Sequence, residues 1–229
     1  MPYLVHSAQA QLGVFPLGLV GWTLLAMSVG LVQWRVWFFS PTLPDSSGIA
    51  WIGIWRVCFY SQEEPSPGLL IMRCSYIRFH DAFTPPEIAA AQILMFLSLG
   101  FGLLGFVCGI YALRNTFFGI KSLTRFAFCL GGASTLLAAV LALIPLLWNL
   151  AAVLTDHPIQ FPGEFRIPES PKAQRVGGAV WAGLVGVALL VVTAAINISY
   201  KFPKEEMGSF KKKREGKDNL AFEFDEVRL

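Results

Sequence analysis

Four long apolar runs without charge constrain this chain more than any other feature of its sequence. They have 22 to 26 residues each, and none of the 18 Lys and Arg or the 15 Asp and Glu residues lies inside them. About 20 such residues let an α-helix cross the hydrocarbon core of a bilayer. Four transmembrane helices are therefore predicted, at Leu12–Gln33, Ile88–Leu113, Phe126–Trp148 and Gly177–Tyr200.

The composition is that of a membrane protein. Hydrophobic residues make up 55% of the chain and charged residues only 14%, against about 25% charged residues in soluble domains. The excess of the +3 net charge lies beside the predicted inner leaflet, where basic residues meet anionic lipid. Membrane lipids are therefore expected partners, and nucleic acid is not.

The basic residues also predict an orientation. Residues 114–125 carry Arg114, Lys121 and Arg125 and no acid, and residues 201–229 include the basic run Lys211–Arg214. The positive-inside rule makes both segments cytosolic, and four spans then place residues 1–11 in the cytosol as well. We expect a multi-pass protein of the plasma membrane, whose two longer loops, residues 34–87 and 149–176, face outward.

A cleaved signal peptide is the alternative for the first apolar run. Ala26-Met27-Ser28 would be its small-residue cleavage site. The segment before the run contains no Lys or Arg, however, and the run is longer than a usual signal core. We therefore expect this run to remain as a span.

The first outer loop, residues 34–87, contains three β-prone runs separated by turn-forming residues. The runs are Trp34–Phe39, Ile49–Phe59 and Leu69–Phe79, and their alternation with turns predicts a small antiparallel sheet. Cys58 and Cys74 fall in the second and third runs, where a bridge between neighbouring strands is geometrically easy. A disulfide there would place the loop in an oxidising, extracellular space. The second loop, which includes Phe161–Pro168, is long enough for one short strand that joins the sheet.

Three further features each allow two interpretations. The aromatic residues around Trp34 fit an interfacial anchor at the end of the first span, or a specific role in the loop. Gly105-x-x-x-Gly109 lets another helix approach closely, within the bundle or from a second subunit. The C-terminal residues Val227, Arg228 and Leu229 could add a strand to a cytosolic scaffold domain, although such endings are also common by chance.

The sequence argues against an enzyme and against an ordinary pump. His6, His80 and His157 are widely spaced and form no metal-ligand pattern with the cysteines. The chain contains no phosphate-binding glycine loop, nucleophile elbow or paired catalytic carboxylates. The four runs hold no ionisable side chain of the kind that marks a transport pathway. We expect no catalytic residue, metal or cofactor.

Several residues together resemble the claudin signature, and the resemblance covers about residues 11 to 200. A tryptophan precedes a Gly-Leu-Trp-like triplet and a cysteine pair, here Trp34, Gly53-Ile54-Trp55, Cys58 and Cys74. Phe165 and Pro168 in the second loop also match the family pattern. The core of Trp and Cys residues is shared with the wider group of peripheral-myelin-type and calcium-channel-gamma-type four-span proteins.

The resemblance implies a four-helix transmembrane bundle with a small extracellular antiparallel β-sheet. Four strands would come from the first loop and one from the second, with Trp34, Gly53 and Trp55 tying the sheet to the bundle and Cys58–Cys74 as its disulfide. It also implies a structural protein of tight junctions. Such a protein would bind itself or other claudins, side by side in one membrane and across cells, and form a paracellular barrier by adhesion through both loops.

Some residues depart from the family pattern. Fifteen residues separate the two cysteines, where about eight to ten are usual in the family, so the tip between those strands is enlarged. Gln92 stands where an arginine is usual, Ser75 follows the second cysteine where pore-forming members often carry a charge, and the chain lacks the Tyr-Val ending.

Two other functions stay open from the sequence. An accessory subunit that modulates a channel or receptor would use the first loop to grip a partner in the same membrane. A paracellular ion channel would need charged lining residues, for which the candidates are Asp45, Glu63, Glu64 and Asp81.

Overall fold

A computed structural model describes residues 8–39, 46–62, 70–118, 121–165 and 171–201 of the chain. Four helices dominate these residues. They are α1 (Gln9–Gly30), α2 (Pro86–Phe118), α3 (Lys121–Leu154) and α4 (Gly178–Ile198). All four are long and apolar enough to cross a membrane, as the sequence predicts. The helices do not begin and end with the apolar runs, and the membrane boundaries stay predictions.

The helices pack closely where glycines face one another. A Cβ placed on Gly21 of α1 would lie 2.9 Å from the Gly186 carbonyl of α4, and one on Gly186 would lie 2.7 Å from the Gly21 carbonyl. Gly105 of α2 lies in the same way against Gly131 and Thr135 of α3. The close approach that Gly105-x-x-x-Gly109 predicts is therefore a contact inside the bundle.

Five antiparallel strands form one sheet at the end of the bundle where α2 begins and α3 ends. The strands are β1 (Arg35–Phe38), β2 (Ser46–Ile52), β3 (Arg56–Gln62), β4 (Leu70–Tyr76) and β5 (Ala173–Val176). Their order is β4-β3-β2-β1-β5, so β4 and β5 are the edge strands. A four-helix membrane bundle with a small antiparallel sheet is the predicted fold class, and the structure confirms it.

The first loop contributes four strands, so the three strands predicted from its residues alone were too few. The run Ile49–Phe59 is divided by a tight hairpin turn, which the Gly53 N–H closes by donating to the Arg56 carbonyl at 2.9 Å. A Cβ on Gly53 would lie 2.8 Å from Val32 Cα. The turn was missed because Ile54 and Trp55 are apolar residues rather than typical turn residues.

The second loop contributes one strand that joins the sheet, as its length predicts, and this strand lies after the Phe161–Pro168 segment. β5 pairs with β1 from Arg35–Val176 to Phe38–Ala173. Within the described part of Phe161–Pro168, Gly163–Phe165 forms a short 3-10 helix.

Two buried clusters join the sheet to the bundle. The larger one lies among the helices and includes Trp34 and Ile54 from the first loop. The second lies between β1–β3 and the segments that cover them, and includes Trp37, Ile88 and Phe161. Helix residues therefore pack against the base of the sheet, and the second loop covers one of its faces.

Candidate functional site

The sheet is the candidate functional site, and β1 is the strand that fixes it to the bundle. Side chains of a strand alternate between its two faces, and Arg35 and Trp37 share the buried face while Val36 and Phe38 are only partly buried. Both Arg35 and Trp37 are fully buried. The base of the sheet is therefore built around an arginine and a tryptophan.

Trp34 lies directly before β1 and is buried, with 1% of its surface exposed. Its indole Nε1 donates to the Ser28 carbonyl at 2.8 Å, near the end of α1. Its own carbonyl accepts from the Gly177 N–H at 2.9 Å, at the entry to α4. Trp34 therefore joins α1, the sheet and α4 through buried hydrogen bonds, which favours the specific role in the loop over a simple interfacial anchor.

Gly177 makes a further contact at the same place. A Cβ on Gly177 would overlap the Gln33 carbonyl, so any larger residue requires the backbone to shift. That carbonyl accepts from the Ala179 N–H at 3.0 Å, in the first turn of α4. The first helix and the last are thus linked through the residues that flank Trp34.

A buried ion pair beneath β1 was not predicted from the sequence. Arg35 Nη2 donates to Glu87 Oε1 at 2.8 Å, with the two side chains 0% and 6% exposed. Arg35 Nε donates to Asn149 Oδ1 at 2.7 Å. Glu87 opens α2 and Asn149 lies near the end of α3, so one side chain of the sheet is fixed to two helices.

Burial and the neighbouring Glu87 shift the pKa of Arg35 in opposite directions. Burial lowers the pKa of the Arg35 guanidinium below its usual range, and the hydrogen bond and the charge of Glu87 offset this only in part. A buried charge is tolerated only when it is paired and hydrogen-bonded, and Glu87 supplies both contacts. Arg35 Nη1 and Asn149 Nδ2 have no hydrogen-bond partner among the described residues.

The hairpin turn between β2 and β3 forms the second attachment. Ile54 is buried in the bundle cluster, and its carbonyl accepts from Gln92 Nε2 of α2 at 2.5 Å. The same Nε2 lies 2.9 Å from the Ile77 carbonyl, just after β4. Gln92 therefore fastens two segments of the first loop to α2, at the position where the family resemblance places an arginine. Trp55, by contrast, is 38% exposed.

The predicted disulfide is confirmed. Cys58 of β3 and Cys74 of β4 are bonded and lie directly opposite one another in the strand register. The bridge covalently links the edge strand β4 to the interior of the sheet. Cys108 and Cys129, both in helices, are free cysteines.

Phe165 of the second loop lies in an aromatic cluster within the chain. Its ring is 5.3 Å from that of Phe83 and 5.5 Å from that of Phe161. Phe161 in turn packs against Trp37 at 5.5 Å. The cluster holds the second loop on the sheet. The other predicted loop residue, Pro168, lies outside the described residues, as do Val227, Arg228 and Leu229.

The candidate charges of a pore can be placed only in part. Asp45, Glu63 and Glu64 lie outside the described residues. Asp81 Oδ2 accepts from the Arg78 backbone N–H at 3.0 Å, so this carboxylate caps a local turn. Among the described residues, His, Cys, Asp and Glu form no group of three or more that could hold a metal ion.

Four membrane-length helices that carry a disulfide-linked sheet at one end define a four-span membrane protein whose loops build a small sheet. Residues 19–198 match the family described as PMP-22/EMP/MP20/Claudin tight junction. The chain belongs to this family, and at family level it is a claudin-like tight-junction protein of the membrane, from a structural rather than an enzymatic family.

The chain is also similar to individual claudins. The chain is 24% identical to claudin-3 of Rattus norvegicus over 195 residues, which cover 83% of this chain and 81% of the relative. It is also 24% identical to claudin-3 of Mus musculus over 185 residues, or 79% of this chain and 77% of the relative. The similarity thus extends over the bundle and the sheet.

Proposed function

We propose that this protein forms cell–cell contacts of tight junctions and contributes to a paracellular barrier. Copies of it, or of other claudins, would assemble side by side in one membrane and meet partners on the next cell through the sheet. The narrower hypothesis is a divergent claudin, since the runs Gln33–Trp37, Gly48–Tyr60 and Ala112–Asn115 resemble the family member numbered thirty-four.

The exposed edge strand β4 is the observation that carries this proposal. Among the residues that the structure describes, β4 pairs with β3 alone, and an open strand edge is a template for pairing with another chain. Two large apolar side chains of β4 are exposed, Met72 at 46% and Tyr76 at 75%. Strand addition gains main-chain hydrogen bonds and side-chain contacts together.

The firm attachment of the sheet also supports an adhesive role. Trp34, Arg35 and Gln92 connect the sheet to the helices by hydrogen bonds from buried side chains. A sheet held in this way keeps its edge strands at a fixed height above the membrane. Neighbouring copies can then present the same edge in the same orientation.

The proposal includes an orientation, with the sheet outside the cell and both termini in the cytosol. The disulfide supports it, because such bonds persist in oxidising compartments, and so do the basic residues of the opposite side. Epitope tags at the two termini should bind antibody only after the cells are permeabilised. Binding on intact cells would contradict the orientation.

Expression in cells that lack tight-junction strands tests the function. Freeze-fracture images should contain strands at cell contacts, and the transepithelial resistance should rise. Met72→Glu, which places a charge on the β4 edge, should reduce both, while Met72→Leu keeps the apolar surface and should preserve them. Diffuse plasma-membrane protein with no strands and unchanged resistance would defeat the proposal.

The same cells separate the two alternatives. Co-purification of a channel in a fixed ratio, without strands, would indicate the accessory subunit. A fall in resistance with charge selectivity would indicate a paracellular channel. Binding of the C-terminal residues Val227, Arg228 and Leu229 to a cytosolic scaffold is a separate proposal, tested by removing those three residues and measuring junctional retention.

A further inference from the structure

A groove of about 700 Å³ lies where the sheet meets α2. Its wall consists of the turn residue Trp55, the segment from Tyr76 to His80 and, on the helix, Gln92. Ligand sites in proteins have volumes of about 300–1,000 Å³ and mostly apolar walls. The volume of the groove falls within this range, and its lining is mostly apolar.

The walls of the groove are fixed by hydrogen bonds. Gln92 Nε2 donates to the carbonyls of Ile54 and Ile77, and the Ile77 N–H donates to the Trp55 carbonyl at 2.8 Å. These bonds hold the hairpin turn, the segment after β4 and the helix at constant separation. The shape of the groove is therefore fixed by hydrogen bonds to the backbone of its walls.

The groove lies beside a helix that is predicted to span the membrane. Gln92 is the fifth residue of the apolar run Ile88–Leu113, which is predicted to span the membrane, so the groove lies near the predicted membrane boundary of α2. The exposed residues Ile93, Phe96 and Leu103 of α2 continue from the groove along the span. The groove therefore adjoins an exposed apolar face of α2, which would face acyl chains when this helix spans the membrane.

Arg78 contributes a positive charge to the lining of the groove. Arg78 is exposed, and among the described residues its guanidinium makes no ion pair, since Asp81 accepts only from the Arg78 backbone. Exposed Phe79, at 61%, stands beside it. Guanidinium groups bind phosphate well because their donors match the geometry of its oxygens.

We propose that this groove binds one phospholipid of the adjoining leaflet, with its phosphate at Arg78 and an acyl chain along the groove and α2. A sterol would fill the apolar part but would leave the guanidinium without an anion. A second copy in the same membrane is the competing occupant, and the crosslinking experiment below separates it from lipid. The proposal rests on the four spans and not on junction assembly, so lipid binding and strand formation can fail independently.

Native mass spectrometry of the full chain in detergent tests the proposal. The protein is titrated with palmitoyl-oleoyl phosphatidylcholine and, separately, with the diacylglycerol that has the same chains but no phosphate. One phosphatidylcholine per protein should be retained, and the diacylglycerol should bind about tenfold more weakly, since the charged contact is lost. Equal binding of the two lipids, or stronger binding of cholesterol, would overturn the proposal.

Variants locate the bound lipid. Arg78→Ala should reduce phosphatidylcholine binding about tenfold, to the level of the diacylglycerol. Lys172→Ala removes an exposed positive charge beside β5, at the opposite edge of the sheet, and should leave binding unchanged. Equal effects of the two variants would mean adsorption to surface charge and would reject the site.

A photoactivatable acyl chain provides a second measurement that does not depend on a variant. Phosphatidylcholine with a diazirine in its chain should label the groove segment around Phe79 and the α2 residues beyond Gln92. Labelling confined to other helices would contradict the proposal. Crosslinks from a photoactivatable residue at Phe79 to a second copy, rather than to lipid, would assign the groove to protein assembly instead.

Discussion

Neutralising Glu87 should destabilise the protein strongly, because it leaves the Arg35 charge buried without a partner. The two side chains are 0% and 6% exposed and meet at 2.8 Å. Removing one partner of a buried ion pair typically costs about 3–5 kcal/mol of folding free energy. Glu87→Gln keeps an oxygen in place as a hydrogen-bond acceptor, so we expect a loss near the lower limit, about 3 kcal/mol.

A double-mutant cycle separates the ion pair from the general cost of changing a buried site. Arg35→Met and Glu87→Leu should each destabilise by about 3–5 kcal/mol. The double variant should lose less than the sum of the two by at least about 2 kcal/mol, because both charges are then absent. Some loss should remain, since Asn149 Oδ1 accepts from Arg35 Nε and would have no partner.

Reversible unfolding by SDS in mixed micelles, followed by tryptophan fluorescence, measures these free energies. Arg56→Met is the matched control, because Arg56 is an exposed arginine of the same sheet, and it should change stability by less than about 0.5 kcal/mol. If Glu87→Gln behaves like this control, or if the cycle is additive, the buried ion pair does not hold the sheet to the helices.

Three other changes test separate contacts by the same measurement or by surface expression. Cys58→Ser removes a disulfide that closes a loop of 15 intervening residues, so it should reduce the folding free energy by about 3 kcal/mol and lower surface expression. Cys129→Ser changes a free cysteine and should have neither effect. Gly177→Ala should be severely destabilising because its methyl group meets a backbone carbonyl, while Gly178→Ala makes only an ordinary contact at 3.5 Å. Gly105→Ala should weaken α2–α3 packing by about 1–3 kcal/mol, and Gly100→Ala, with no atom within 4 Å of the new methyl group, should not.

The four spans could be predicted from the sequence because a membrane imposes a simple requirement. A helix in lipid must satisfy its own backbone and present apolar side chains over about 20 residues. The disulfide was predictable for a similar reason, since Cys58 and Cys74 lie in β-prone runs separated by turn residues. Both features depend on local sequence and need no knowledge of distant contacts.

The features that were missed depend on distant contacts. Glu87 reads as a solvated charge at the end of a loop, and only the fold brings it to Arg35, 52 residues away. β5 has the sequence Ala-Gln-Arg-Val, which is not a strong strand pattern, and it forms because the edge of β1 is available beside it. From the sequence, Gln92 is only a polar residue within a predicted span. Its two partners, the carbonyls of Ile54 and Ile77, come within reach only when the first loop is folded.

The enlarged hairpin between the cysteines lies at the end of the sheet that is remote from the bundle. β3 and β4 pair from Arg56–Tyr76, near the buried turn at Ile54, to Gln62–Leu70. The disulfide lies within this ladder, with four residues of each strand beyond it. A gap of about eight to ten residues, usual in the family, could not hold these eight strand residues and the seven residues 63–69 as well. The extra length therefore changes the part of the sheet farthest from the membrane and leaves the anchorage through Trp34, Arg35 and Gln92 as it is. Under the proposed function, contacts with the opposing cell should differ more from those of other family members than contacts between neighbours at the base of the sheet.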